Sequence, residues 1–305
     1  MSKQFNNQPL VSVVMNCYNG EAYLYESIKS ILSQTYENWE LIFWDNQSID
    51  SSAKIFKSYK DKRLKYFYTD EHVSLYKARN LAIDQSKGDF ISFIDTDDLW
   101  NKNKLELQIP YFKDPKVGVV YSNLWIFKKK VTKRKLYAKN KLPRGNIFYE
   151  IIKHYNVGIL SVVIRKNFFE KLKEKFDERF SMIGDFDLFV RLSKICIFES
   201  IQIPLASVRL HGQNLTTLMK EKETEEMELW LKENKCNLNE FNLQTIKKNV
   251  NYRKFLHFKI EGRYKECINI LLNSRIGLFN IKNLFLFFMP IFLLKKLMWF
   301  YNDFK

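Results

Sequence analysis

The sequence predicts an α/β protein, with a mostly parallel sheet flanked by helices and a helical extension at its C-terminal end. Two observations predict this fold class. Short apolar runs alternate with helical patterns from residue 10 to about 125, and this order implies parallel strands joined by right-handed crossovers. From about residue 217 onward the patterns are helical only, which predicts the extension.

Four strands are expected in the first part of the chain. Residues 11–15 are apolar except for Ser12, as in a strand buried on both faces. Similar apolar runs lie at 41–44, 64–68 and 90–94. A parallel sheet built from these runs would have the carboxyl ends of its strands at one edge.

Helical patterns separate the strands. After Gly20, apolar residues form one stripe of a 3.6-residue period, at Leu24, Ile28, Ile31 and Leu32. A second helix is expected to begin near Asp50 or Ser51, either of which could cap it, and residues 74–86 form a third.

The C-terminal residues, 217–305, predict helices. A charged amphipathic pattern comes first, and a helical hairpin follows around Gly262. Residues 284–294 are eleven consecutive apolar positions, too few for a spanning helix, which needs about 20. Two interpretations stay open for 278–301: a helix lying on an anionic membrane, favoured by flanking Lys, Trp299 and Tyr301, or a helix packed on the protein.

Composition indicates a globular protein with anionic partners. Hydrophobic residues make up 46% and aromatic residues 16%, which excludes a disordered chain, and the net charge is +16. The four cysteines are far apart, so neither a zinc cluster nor a disulfide framework is expected. The first residues lack the apolar run of a signal peptide, so we expect a cytoplasmic protein.

Three polar residues follow predicted strand ends. Asn16, Asp45 and Asp95 should therefore lie in one crevice at the edge of the sheet, where ligands of α/β proteins bind. Asp45 could instead open a local turn, as aspartate often does.

An acidic cluster, Asp95, Asp97 and Asp98, directly follows the fourth strand. Three carboxylates at a sheet edge predict a site for Mg²⁺ or Mn²⁺, with substrate phosphates completing the coordination shell. One of these aspartates could cap the following helix, but capping does not require three.

Five segments in this order resemble family 2 glycosyltransferases of the GT-A fold, a Rossmann-like sheet. They are VSVVMNCYNG, ELIFWDNQSID, ARNLAIDQSKGDFISFIDTDDLW, FDERFSMIGDFDLFVRLS and PLASVRLHGQNLT. The resemblance covers residues 9–216, which we expect to form the catalytic domain, and implies a metal-dependent, inverting hexosyltransferase.

The resemblance implies roles for individual residues. Asp45 would pair with the base of a nucleotide sugar, flanked by Asn16 and Tyr18, and Arg79 would lie near the nucleotide. Asp95 would contact the ribose.

The metal would be held by Asp97 and His211, with Asp95 and Asp98 as further possible ligands. The structural alternatives are a surface arginine at 79 and a structural histidine at 211.

The catalytic base implied by the resemblance is Asp185, with Asp187 as the alternative. Either carboxylate could instead complement a helix dipole. Two positions depart from the family pattern: Gly184 replaces the usual glutamate before the base, and Gln47 replaces the glycine of the Asp45 loop.

The expected function is transfer of a sugar from a nucleoside-diphosphate donor to a glycan or lipid-linked acceptor. A UDP-sugar is the expected donor. The resemblance implies bacterial polysaccharide or lipopolysaccharide synthesis, with the enzyme peripheral on the inner membrane face. Alternatives are a GT-A-like nucleotide-binding protein without transferase activity and a metal-dependent nucleotidyltransferase. A nucleic-acid partner is not expected, because basic and aromatic residues do not interleave along a recognisable module.

Overall fold

A computed structural model describes residues 8–128, 133–215, 219–273 and 278–295. The chain divides into two compact units. One comprises Met1–Ile151 and Asn156–Gly212, which we call the sheet unit; the other comprises Ile152–Tyr155 and Gln213–Lys305, the helical unit. The boundary predicted at 216/217 lies outside the described residues.

The sheet unit contains one mixed sheet, with nine strands among its described residues. They are β1 Val11–Cys17, β2 Trp39–Asp45, β3 Leu64–Tyr68, β4 Phe90–Phe93, β5 Leu99–Trp100, β6 Val117–Phe127, β7 Arg134–Leu136, β8 Val163–Arg165 and β9 Ile197–Arg209. Their order is β3-β2-β1-β4-β8-β6-β9-β5, and β7 pairs with β6.

The first four strands are parallel, as the sequence predicts. Beyond β4 the sheet is mixed, because β8 runs antiparallel to both β4 and β6. The long strands β6 and β9 are parallel to each other, with register shifts near Asn123. The predicted α/β class is thus observed. The run of four adjacent parallel strands comes from the first part of the chain, and the later strands pair in both directions.

Seven α-helices begin in the sheet unit within the described residues, and the fifth ends just beyond its boundary at Ile151. They are α1 Glu21–Leu32, α2 Ser52–Ser58, α3 Leu75–Asp84, α4 Lys104–Gln108, α5 Phe148–Lys153, α6 Asn167–Glu170 and α7 Gly184–Ser193. Three residues of the predicted stripe on α1 have no exposed surface, Leu24, Ile28 and Ile31, and the fourth, Leu32, is partly buried against the same core. They pack against inward-facing residues of β1 and β2, such as Val13 and Leu41, which form the core.

Hydrogen bonds join the loops that follow β1 and β2, at the positions where α1 and α2 begin. The Asp50 carboxylate accepts hydrogen bonds from the backbone N–H groups of Glu21 and Ser52, both at 2.9 Å. Glu21 accepts one in return from the Ser51 N–H at 2.8 Å. Of the two predicted caps, Asp50 therefore supplies the bond, while the Ser51 side chain makes none.

The helical unit contains four α-helices within its described residues. They are α8 Lys220–Asn234, α9 Glu240–Ile260, α10 Tyr264–Asn273 and α11 Leu278–Phe288. The predicted hairpin joins α9 to α10, and its turn uses Gly262 at φ 75°, a left-handed conformation that glycine adopts without strain.

Within the described residues, every helix falls short of the length and apolar character required to cross a bilayer. The predicted segment 278–301 is described as far as residue 295, so Trp299 and Tyr301 lie outside the described residues.

Candidate active site

The carboxyl ends of β1, β2 and β4, here called the carboxyl edge, bring the first predicted residues together. In the parallel register Asn16 lies opposite Trp44, and Cys17 lies opposite Asp45. Phe93, the last residue of β4, lies opposite Val14, so Asp95 follows at the same edge. The predicted convergence of Asn16, Asp45 and Asp95 is therefore found at the level of the backbone.

Asp45 is fully buried and organises the loop that follows β2. Its Oδ1 accepts a hydrogen bond from the Ser48 N–H at 2.8 Å, and its Oδ2 accepts one from the Tyr66 hydroxyl at 2.7 Å. Burial and this bond raise the pKa of Tyr66. The alternative role of Asp45 as a turn residue is thus observed, while its contact with a base stays a prediction.

Asn16 has an unsatisfied side chain. Neither its amide nitrogen nor its amide oxygen has a hydrogen-bond partner among the described residues, although both atoms are buried. A buried amide without partners costs about 1–3 kcal/mol, so such an arrangement calls for a ligand or water. The Trp44 indole N–H, on the neighbouring strand, is also unpartnered within the described chain.

Tyr18 lies beyond the end of β1 and is 55% exposed. Its ring lies 4.3 Å from that of His72, centroid to centroid, in a tilted arrangement. An exposed aromatic ring beside the carboxyl edge offers a surface on which a planar base can stack.

Gln47 adopts a left-handed backbone conformation, with φ 66°. This is the position at which the family pattern has glycine, and a side chain there is strained. The Gln47 side chain donates to the Asp70 carbonyl at 2.5 Å, which helps to hold the loop. The loop conformation is therefore kept without glycine.

Arg79, on α3, is almost completely buried and pairs with Asp95. Its Nη2 donates to Asp95 Oδ1 at 3.0 Å, and the Asp95 side chain is 41% exposed. Burial lowers the pKa of Arg79, but Asp95 and Tyr76 more than offset this, so the pKa lies above its ordinary value. The surface alternative for Arg79 is wrong, because only 4% of the residue is exposed.

Asp97 and His211 meet although they are 114 positions apart in the sequence. His211 Nε2 lies 2.7 Å from Asp97 Oδ2, and both side chains are about one-fifth exposed. Burial and the neighbouring Asp95 raise the pKa of Asp97, while the bond to His211 lowers it.

Asp98 holds β9 in place. Its Oδ1 accepts the Arg209 backbone N–H at 2.9 Å, and the residue is 5% exposed. Burial, with Asp97 and Asp95 close by, raises the pKa of Asp98 well above its usual range. The Arg209 guanidinium donates to the Asp97 carbonyl and to Glu26.

The residues present partly fit a divalent cation. Within the described residues, no group of three or more His, Cys, Asp or Glu side chains is arranged as a metal site. Asp97 and His211 nevertheless supply one oxygen and one nitrogen donor in contact with each other. Because Mg²⁺ and Mn²⁺ commonly take only one or two protein carboxylates plus phosphates and water, this pair suits a cation that arrives with a diphosphate.

Asp185 lies in the first turn of α7, close to Tyr76 on α3. The Tyr76 hydroxyl donates to Asp185 Oδ1 at 3.4 Å, and the Phe186 N–H donates to the same oxygen at 2.9 Å. A Cβ atom at residue 184 would lie 2.6 Å from the Tyr76 ring. The tyrosine ring thus fills the space beside the position where the family has glutamate.

Asp187, the alternative base, is engaged in the helix itself. Its Oδ2 accepts from Arg191 Nε at 2.8 Å, four residues further along α7, and the residue is 7% exposed. Arg191 also donates to the Glu174 and Lys175 carbonyls. Asp187 is thus paired within its own helix and is more buried than Asp185, and the role of either carboxylate as base stays a prediction.

Sequence reasoning missed Tyr76. The departure at Gly184 was a signal, because a glycine within a helix often marks a close neighbour. Trp100, which follows the acidic cluster, is buried, and its indole N–H donates to the Leu160 carbonyl at 3.2 Å.

Comparison with known families finds one matching model. Glycosyl transferase family 2 matches residues 12–180, which is more than half of the chain. This range contains the carboxyl edge and the acidic cluster.

Two relatives carry names that describe their reactions or pathways. The chain is 34% identical over 155 residues to UDP-Glc:alpha-D-GlcNAc-diphosphoundecaprenol beta-1,3-glucosyltransferase WfgD of Escherichia coli, covering 51% of this chain and 60% of WfgD. It is 29% identical over 161 residues to TuaG of Bacillus subtilis, named for a role in teichuronic acid biosynthesis, covering 52% and 63%. The chain thus spans less than two thirds of either relative.

Solved structures confirm the predicted fold class. TarS residues 1–349 from Staphylococcus aureus, in complex with UDP-GlcNAc, superimpose with a TM-score of 0.63 and 20% identity, covering 86% of this chain and 79% of TarS. A mannosyltransferase from Pyrobaculum calidifontis, in complex with GDP-Man and Mn²⁺, gives a TM-score of 0.61 and 15% identity, covering 92% and 79%. At this level of identity the likeness concerns the fold alone. The family model, which covers more than half of the chain, shows that the chain belongs to glycosyl transferase family 2.

Proposed function

We propose that this protein is an inverting glycosyltransferase that transfers a sugar from a UDP-sugar to a lipid-linked or glycan acceptor. The observation that carries the proposal is the contact between Asp97 and His211 beside the Arg79–Asp95 pair at the carboxyl edge. Acidic, basic and imidazole groups at the edge of the sheet where ligands of α/β proteins bind support this proposal.

The donor would occupy the carboxyl edge. The two unpartnered amide atoms of Asn16 would form hydrogen bonds with the nucleotide, and Tyr18 would stack on the base. Asp95, held by Arg79, would accept from ribose hydroxyls. Asp45 would contribute through the loop that it organises, since both of its oxygens already accept hydrogen bonds.

A divalent cation, Mn²⁺ or Mg²⁺, would be held by Asp97 and His211. When bound, it would neutralise charge on the departing diphosphate. Support comes from the carboxylate–imidazole contact in this chain and from the Mn²⁺ in the structure of the P. calidifontis neighbour. Asp98 would act indirectly, by fixing β9 and thereby the position of His211.

Asp185 would serve as the base. Its carboxylate would take the proton of the acceptor hydroxyl, while the acceptor oxygen forms a bond to the anomeric carbon. The bond from that carbon to the diphosphate breaks, and its electron pair leaves with the diphosphate. Because the acceptor oxygen attacks from the face opposite the diphosphate, the configuration inverts. A positioned base contributes about 10²–10⁴-fold to such a rate.

The class of acceptor that we propose is inferred from the names of the relatives. WfgD acts, by its name, on a sugar diphosphate linked to undecaprenol, so we expect a membrane-linked acceptor and a role in cell-surface polysaccharide synthesis. The protein would then work at the cytoplasmic face of the membrane as a peripheral protein.

Binding calorimetry tests the donor site. Wild type and Asp97→Asn are titrated with UDP and with GDP, each with and without Mn²⁺. We expect UDP binding that requires Mn²⁺ and that weakens by roughly 10-fold or more in Asp97→Asn. Asp89→Asn is the matched control, because Asp89 is exposed and directly precedes β4, whereas Asp97 follows it.

Two results would contradict the proposal. Folded wild type that binds neither nucleotide would favour a GT-A-like protein without transferase activity or with another donor. Release of pyrophosphate from a nucleoside triphosphate, with no UDP released from UDP-sugars, would favour the nucleotidyltransferase alternative.

A further inference from the structure

The helical unit exposes a cluster of large apolar side chains near its C-terminal end. Phe285, Phe288 and Phe292 are 68%, 76% and 70% exposed, and Leu284 and Leu293 are 50% and 41% exposed. We call these five residues the aromatic face. Five large exposed apolar side chains within ten residues of sequence indicate an interaction site.

The opposite side of the same segment is packed inside the unit. Leu286 and Leu294 are 7% and 1% exposed, and they belong to a core cluster with Phe255, Leu256 and Cys267. The segment is therefore already anchored on one side, which fixes the orientation of the aromatic face. A helix that is half-packed and half-exposed suits a partner that covers one side only.

The sequence around the aromatic face is strongly basic. Residues 241–305 contain twelve Lys and Arg but three Asp and Glu, a net charge of +9. Lys295, which is exposed, directly follows the buried Leu294. A partner must therefore combine an apolar interior with an anionic surface.

We propose that the aromatic face inserts into an anionic lipid bilayer at the level of the headgroups. Phenylalanine and leucine enter the acyl boundary, while lysine and arginine contact the acidic headgroups, as in other interfacial helices. A second copy of the chain is a poorer occupant, because each copy carries an excess of basic residues around this face and like charges repel each other. The proposal does not depend on the donor site.

Vesicle co-sedimentation of the full-length chain tests this docking surface. Wild type is expected to bind vesicles containing one-third phosphatidylglycerol and to remain in the supernatant with pure phosphatidylcholine. The Phe285→Ser/Phe288→Ser double variant should bind roughly 100-fold more weakly. Raising the salt concentration to about 0.5 M should weaken wild-type binding several-fold, because it screens the headgroup attraction.

The matched control is Phe241→Ser. Phe241 is 63% exposed on α9 of the same unit but lies outside the aromatic face, so this variant should bind vesicles within about twofold of wild type. Thermal unfolding midpoints of all variants should agree, since the altered rings are exposed.

Equal binding by the double variant and wild type would overturn the proposal, as would wild type that fails to sediment with anionic vesicles. A concentration-dependent dimer that the double variant abolishes, without vesicle binding, would assign the aromatic face to a second copy and would also overturn it.

Discussion

The sheet unit and the helical unit differ in the exposure of the side chains that we propose bind a partner. At the carboxyl edge, charged groups are enclosed and paired: Arg79 is 4% exposed and holds Asp95, and Asp98 is 5% exposed and accepts from β9. In the helical unit the segment around Phe288 leaves its apolar rings in solvent.

This difference in exposure indicates which kind of partner each unit suits. Groups held by defined hydrogen bonds are preorganised, which favours a ligand of fixed geometry such as a nucleotide sugar. Exposed rings and lysines have no fixed partner geometry, which favours a fluid surface such as a bilayer.

Breaking the enclosed pair should have the largest effect on stability. Arg79→Met removes the hydrogen bond to Asp95 and the contacts of the guanidinium with the rings of Tyr76 and Phe93. We expect the free energy of unfolding to fall by about 2–3 kcal/mol, below the full cost of a broken buried pair because Asp95 is partly exposed.

Urea unfolding of Arg79→Met measures this loss. Lys77→Met is the matched control on the same helix, because the Lys77–Glu71 pair is 3.7 Å apart and both side chains are exposed. Equal midpoints for the two variants would show that the Arg79 pair contributes no more than a surface pair.

Gly184→Ala should have the next largest effect. The added methyl group would lie 2.6 Å from the Tyr76 ring, so we expect a loss of about 1–2 kcal/mol although alanine favours helices. In a Tyr76→Leu background the same substitution should be neutral or stabilising. Additive effects in this double-mutant cycle would show that Tyr76 and Gly184 are not coupled.

Lys104 predicts a pH-dependent stability. It is fully buried, and its Nζ donates to Ser92 Oγ at 3.0 Å and to the Val162 carbonyl at 3.2 Å. Burial lowers its pKa well below the usual lysine value of 10.5. Between the folded and the usual pKa the unfolded chain binds more protons, so the Lys104 contribution to stability rises with pH across this window.

Lys104→Met should therefore raise the thermal midpoint near pH 7, by about 2–4 °C, and the gain should shrink as the pH approaches 10. The exposed Lys102 provides the control substitution, Lys102→Met, which should show no such trend. A gain for Lys104→Met that stays constant from pH 7 to 10 would contradict this account.

Gln47→Gly should have the smallest effect. Glycine relieves the left-handed conformation but loses more entropy on folding, so a net gain below about 1 kcal/mol is expected. Gln47→Ala keeps the strain and loses the bond to Asp70, so it should be less stable than wild type. A Gln47→Ala variant as stable as Gln47→Gly would show that the conformation costs little.

Much of the carboxyl edge was predictable from local patterns. Apolar runs ending at Asp45 and Asp95 gave the parallel strands, and the order of the strands and helices gave their common edge. The helical hairpin at Gly262 was equally local.

The remaining features depend on contacts between distant parts of the chain. The β6–β9 pairing joins Val117 to Ile197, and no short pattern encodes it. The packing of Tyr76 against Gly184 joins residues 108 positions apart, so periodicity could not show it. The different contacts of the three aspartates in the acidic cluster, such as the hydrogen bond from β9 to Asp98, could be seen only in the tertiary structure.

In the proposed reaction, the carboxyl edge performs sugar transfer with Asp185 as base. Transfer from a panel of UDP-sugars to an undecaprenyl-diphosphate-linked GlcNAc acceptor is measured for wild type, Asp185→Asn and Asp187→Asn. We expect a rate roughly 10²–10⁴-fold lower for Asp185→Asn with UDP affinity unchanged, and a smaller loss for Asp187→Asn, whose carboxylate pairs with Arg191. Transfer by Asp185→Asn at the wild-type rate would contradict this proposal.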